Sequence, residues 1–133
     1  MESIFTPLER AVLNAICEMH SEDRGALEAE LSTATFCSRQ NNGHGFYTRF
    51  SVDHGSSTSV RGPQLKNGPM ARIDGLKHGM GFVLWLEKGY ANCLEGFGYG
   101  EDISVLNLET VSFEIDPRPV NPIRKPSSPE SLK

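Results

Sequence analysis

Gly79-Met-Gly-Phe-Val-Leu-Trp-Leu-Glu-Lys-Gly-Tyr-Ala-Asn-Cys-Leu-Glu-Gly-Phe-Gly-Tyr-Gly-Glu-Asp102 decides the fold, because Lys88-Gly89 joins two apolar runs, Phe82 to Glu87 and Tyr90 to Phe97. A turn containing glycine between two such runs predicts a β-hairpin. In the simplest register, with a two-residue turn, Glu87 faces Tyr90, Trp85 faces Asn92, Leu84 faces Cys93 and Phe82 faces Glu95. One face then carries Phe82, Leu84, Leu86, Ala91, Cys93 and Phe97, and the other Val83, Trp85, Tyr90 and Leu94. A bulge would shift the register by one and exchange these faces. Both faces are apolar enough to need cover, which points to a sheet with a layer on one side and further shielding on the other. The long loop described below, curling of the sheet or a second copy of the chain would each supply that shielding.

Upstream, Thr6-Pro7-Leu8-Glu9 has the form of a helix start. Thr6 can accept from the backbone of Glu9, Pro7 suits the first helical position, and Glu9 can reach back to Thr6. Leu8, Val12, Ala15, Ile16 and Met19 form the apolar stripe of this helix, with Glu9, Arg10, Asn14 and Glu18 largely off it. Ser21 is expected to cap a second helix with Glu22 and Asp23 in its first turn and Leu27, Leu31 and Ala34 on its apolar side. From Thr33 the period changes to two. Thr35 to Gln40 and Phe46 to Val52 read as strands joined through Asn41-Asn42-Gly43-His44-Gly45. Residues 53 to 69, rich in Ser, Gly and Pro, read as a long loop. Met70 to Asp74 is a weakly patterned strand, and Thr110 to Asp116 alternates as a last one. The chain therefore divides into an α+β domain, residues 1–116, and a Pro/Ser-rich flexible tail, residues 117–133. The expected architecture is two N-terminal helices packed on a mainly antiparallel sheet of about five strands.

The chain has 133 residues, enough for one domain that buries roughly two thirds of its unfolded surface. A formal net charge of −4 without a cluster of Lys and Arg argues against nucleic acid as a partner. The apolar runs fall far short of the ~20 residues that span a bilayer, and the N-terminus lacks the basic start and apolar core of a secretion signal. Cys17, Cys37 and Cys93 are odd in number and lack Cys-x-x-Cys spacing, so they read as buried reduced thiols and the cytoplasm as the simplest location.

Glu95 is the foremost candidate for chemistry. On the register above it falls beside Phe82, Cys93 and Phe97, where a carboxyl group needs a partner or takes a raised pKa suited to acid–base work. A structural role at a strand end, or bonding to backbone amides, is the alternative. Glu101 and Asp102 are an acidic pair beyond the glycine-rich turn, but the alternating ligands of a calcium loop are missing, so no metal is expected. Gly96-Phe97-Gly98-Tyr99-Gly100 resembles a phosphate cradle only superficially. A helix N-terminus should follow at once, and Glu101-Asp102 follows instead. Those glycines are expected to permit a bulge or bend. His20, His44, His54 and His78 lack ligand spacing on one element, and Ser56 to Ser59 lack a nucleophile elbow. No cofactor is implied.

Thr6-Pro-Leu-Glu-Arg-Ala-Val-Leu13, Gly81-Phe-Val-Leu-Trp-Leu-x-x-Gly-Tyr90 and Leu94-Glu-Gly-Phe-Gly-Tyr-Gly-Glu-Asp102 resemble a group of small bacterial proteins of unassigned function. The resemblance implies a shared fold over residues 6 to 102 and carries no catalytic role. Together these features favour a small binding protein whose surface is Trp85, Tyr90, Glu95, Phe97, Tyr99, Glu101 and Asp102. Its expected partner is another protein or a second copy, as a homodimer. Two other functions fit the same residues: a small-molecule enzyme using Glu95 with a loop histidine, and an inhibitor or immunity-type protein that caps a partner.

Overall fold

A computed structural model of the protein describes residues 4–55 and 59–119. Helix α1 (Pro7–Met19) starts with the expected reciprocal cap: Glu9 N donates to Thr6 Oγ1 at 3.2 Å and Thr6 N to Glu9 Oε1 at 2.9 Å. A 3-10 turn (Ser21–Asp23) leads into α2 (Arg24–Ser32). Ser21 does not cap α2 as expected. The residue at the cap position is Asp23, and its carboxylate is drawn instead to Lys66 Nζ, 2.9 Å away.

Six strands follow: β1 (Thr35–Asn41), β2 (Gly45–Ser51), β3 (Leu65–Ile73), β4 (Met80–Glu87), β5 (Tyr90–Gly98) and β6 (Phe113–Pro119). They form one antiparallel sheet in the order β1-β2-β5-β4-β3-β6, so the fold is α+β with six strands rather than five. The additional length lies mainly in β3, which takes up the last five residues of the expected loop. Lys66, Asn67, Gly68 and Pro69 do not read as a strand, yet each has a place in one. Lys66 is buried on its ion pair, and Gly68 lies so close to α1 that a Cβ there would sit 2.6 Å from Phe82 O and 3.1 Å from Ile16 Cδ1. Pro69, which has no N–H to donate, falls at a bulge opposite Pro119. Strand β6 continues three residues past the expected domain boundary; residues 120–133, the greater part of the expected tail, lie outside the described residues.

Both helices lie on the same side of the sheet. Leu8, Val12, Ile16 and Leu27 pack there with Phe46, Phe50, Ala71, Ile73, Phe82, Leu84, Leu86 and Leu94 as one buried cluster. The buried stripe of α1 is wider than expected. Leu13 and Cys17 join it, and Glu9, expected off the stripe, is only 2% exposed. Arg39 closes on Glu9 with two hydrogen bonds of 2.9 and 2.8 Å, and the Thr48 hydroxyl donates to Glu9 Oε2 at 2.5 Å, so this buried carboxylate is paired and hydrogen-bonded.

Candidate functional site on the second sheet face

The hairpin turn forms as expected, with Lys88 and Gly89 both at positive φ, 54° and 87°. Glu87 pairs with Tyr90 and Leu86 with Ala91, but Trp85 then pairs with Cys93, leaving Asn92 as an extra residue in β5. Beyond this bulge Leu84 faces Leu94, Val83 faces Glu95 and Phe82 faces Gly96. The simple register is thus corrected from Asn92 onward. Leu94 belongs to the helix side, while Cys93, Glu95 and Phe97 belong to the second face with Val83 and Trp85. The reason is packing: the bulge keeps Ala91 and Leu94 together under the helices although two residues, Asn92 and Cys93, lie between them.

Pairing across four strands arranges the second face in rungs. Asn67, Val83, Glu95 and Tyr47 make one; Leu65, Trp85, Cys93 and Arg49 another; Met70, Gly81, Phe97 and Gly45 a third. At the centre, Glu95 is 0% exposed and accepts a 2.9 Å hydrogen bond from Trp85 Nε1. Burial, and then the neighbouring Glu95, hold the Tyr47 hydroxyl above its ordinary pKa. The Cys93 thiol, pushed up to about 11 mainly by burial, is protonated at neutral pH and is therefore a poor nucleophile. Val83 and Phe97 form a second buried cluster with Leu65, Met70, Trp85 and Tyr99 packed against it, and neither helix contributes to it. Tyr99 meets the edge of Phe97 at 5.7 Å, and both rings lie over Gly81, where a Cβ would come within 2.6 Å of Phe97 Cζ.

Of the residues expected to form the binding surface, Trp85, Glu95, Phe97 and Tyr99 meet here. Tyr90 stands apart, half-buried against the helix-side core and stacked on the His54 ring at 3.8 Å. Glu101 and Asp102 sit beyond the end of β5 and are engaged by backbone. Lys77 N and His78 N both donate to Glu101 at 2.9 Å, and the Ser104 hydroxyl and then its backbone N–H donate to Asp102 Oδ1 at 2.6 and 2.9 Å; these bonds hold both carboxyls below their usual pKa range. The glycine-rich segment is not mainly a bend, because Gly96 continues β5 and leaves room for the Phe46 ring. Among the described residues no cluster of three potential metal ligands occurs. Cys17 and Cys93 are buried as expected, whereas Cys37 is exposed on the edge strand.

Three polar residues escaped the sequence reading. Arg39 and Glu9 line a cavity of about 650 Å³ walled by Leu8, Phe46, Leu106 and Leu108. Glu30, on α2, is 0% exposed, accepts from Ala91 N at 2.8 Å and has its carboxyl pKa raised by burial. These partners lie 30 and 61 residues away in the chain, so no local pattern announces them. Comparison with protein-family models, curated proteins and solved structures finds no match to this chain. Among the described residues no helix is long and apolar enough to cross a membrane.

Proposed function

We propose that the protein is a binding module that holds a polypeptide segment against the second face of its sheet. One observation carries this reading: an aromatic and aliphatic surface of Trp85, Tyr99, Met70 and Leu65 surrounds Val83 and Phe97, and neither helix packs on it. Large half-buried rings around a buried centre are what protein interfaces use as anchors. Tryptophan and tyrosine dominate such sites because each buries much apolar area while few torsions are ordered. Binding is favoured over catalysis because Glu95 is engaged by Trp85, Cys93 is held protonated, and Glu101 and Asp102 are occupied by backbone amides.

The test is photo-crosslinking from the face itself. A benzophenone amino acid in place of Tyr99 should give polypeptide adducts, within the chain or to another chain, while the same group in place of the exposed Glu18 on α1 should give none. Equal yields from both positions, or none from either, would overturn the reading.

A further inference from the structure

At the margin of the helix side, the cavity of about 650 Å³ between the start of α1, the end of β1 and residues 105–109 joins an apolar wall to opposite charges. Leu8 and Phe46 are 1% and 3% exposed and belong to the main core, and Leu106 and Leu108 pack against it. The wall is therefore formed before any ligand arrives, and the cavity falls within the size range of small-molecule sites. Arg39 and Glu109 supply the charges.

Arg39 is a fixed donor with capacity left over. Its Nε and Nη2 are taken up by Glu9, Nη2 also reaches Ile4 O at 3.1 Å, and the guanidinium lies over the Phe36 ring at 4.8 Å. Nη1 makes no hydrogen bond among the described residues. Glu9 has no such capacity: one of its oxygens accepts from Thr6 N and Arg39, the other from Arg39 and the Thr48 hydroxyl. Glu109 is an exposed carboxylate on a backbone held in place, since its N–H donates to Asn107 Oδ1 at 3.0 Å. After the bonds to Glu9, the charge of Glu109 helps to hold Arg39 above its ordinary pKa, yet no ion pair joins the two. A cation and a carboxylate thus share one cavity without closing on each other.

We propose that this cavity binds a free apolar α-amino acid, with its carboxylate on Arg39 Nη1, its ammonium on Glu109 and its side chain against Leu8, Phe46, Leu106 and Leu108. A ligand with only a carboxylate would meet the repulsion of Glu109, and one with only an ammonium would leave the Arg39 donor unanswered. A head group that carries both charges on one carbon satisfies both with charge-assisted hydrogen bonds. A residue inside a polypeptide lacks both charges and a terminal residue lacks one, so the free amino acid is the ligand selected. Because Arg39 is already held by Glu9, Ile4 O and Phe36, little side-chain freedom is lost on binding. The site lies on the side of the sheet away from Trp85 and goes beyond the binding function proposed above: a polypeptide surface on one face, a small-molecule site on the other.

Calorimetric titration of the full chain with L-leucine and L-phenylalanine tests the assignment, with isocaproate and L-leucinamide as leucine analogues that each lack one charge. At least one of the amino acids should bind saturably. Each analogue should bind roughly tenfold or more weakly than leucine, the loss expected when one charge-assisted hydrogen bond is missing. Arg39 cannot be removed without stranding the buried Glu9, so the variant is Glu109→Gln, at an exposed position. It should weaken leucine and leucinamide by a similar factor and leave isocaproate no weaker. Leucine should also raise the melting midpoint of the parent more than that of Glu109→Gln. Absence of saturable binding by either amino acid, analogues that bind as tightly as leucine, or an unchanged leucine affinity in Glu109→Gln would each overturn the proposal.

Discussion

The two faces of this sheet use the same device and finish it differently. On the helix side Gly96 lies between Phe46 and Phe82, whose rings meet at 6.2 Å, and α1 and α2 then close the layer. On the other side Gly81 lies under Phe97 and Tyr99, and the described cluster ends with the sheet's own rings. Polar groups divide in the same way. Glu9 and Lys66 on the helix side are closed by salt bridges to Arg39 and Asp23, whereas Glu95 on the second face is held by an indole N–H. Among the described residues the helix side is closed by α1 and α2 and the second face by the sheet's own side chains, and on the binding function proposed above it is the second face that receives a partner.

The largest test of that contrast compares adjacent elements of one strand. Phe82→Ala, on the helix side, should cost about 3–5 kcal/mol, as expected for a fully buried phenylalanine. Trp85→Ala, which removes a half-buried ring, should cost less, about 2 kcal/mol. Denaturant midpoints for both variants measure the difference, and equal losses would mean that the second face is as deeply built as the first. Arg39→Met comes next. It leaves the Glu9 carboxylate buried without its cation, and since the Arg39 side chain is 29% exposed the loss should be near the lower end for such pairs, about 2 kcal/mol. Restoring the midpoint with Glu9→Gln on the same background would confirm the charge as the cause. Thr6→Ala, which removes the α1 cap, should cost about 1 kcal/mol with the unfolding slope unchanged.

The smallest effect appears as a slope with pH. Burial raises the Glu30 carboxyl above its ordinary 4.5, so the folded chain binds that proton more tightly than the unfolded one. Its contribution is fully present below the unfolded pKa and is lost as pH rises through the folded value. Stability measured from about pH 4 to about pH 7 should therefore fall more steeply in the parent than in Glu30→Gln. A steeper fall in the variant would reverse the assignment.

What the sequence disclosed is what local chemistry determines. The α1 cap lies within four residues, and the Lys88-Gly89 turn within two, so both could be read directly. Trp85, Glu95, Phe97 and Tyr99 were legible as candidates but their gathering was not, because the simple register sets Trp85 on the face opposite Glu95 and Phe97 and nothing about Asn92 marks it as an extra residue. The first part of strand β3, Leu65 to Pro69, was hidden because its exceptions to the strand pattern are explained elsewhere: Lys66 by Asp23, and Gly68 by the approach of Ile16. Glu101 and Asp102 read as an exposed acidic pair because the amides of Lys77, His78 and Ser104 that hold them are backbone groups, which carry no sequence signature.

The bulge at Asn92 also bears on how this hairpin can change in length. On either side of it β5 runs in opposite phase, so a deletion at Asn92 joins two segments that already agree: Ala91 stays under the helices and Cys93 stays opposite Trp85. Removing a residue further along, such as Glu95, with the bulge kept would put every later side chain of the strand on the wrong side. The chain lacking Asn92 should fold with Trp85 emission unchanged and a straighter hairpin, which makes this position a tolerant joint in the strand.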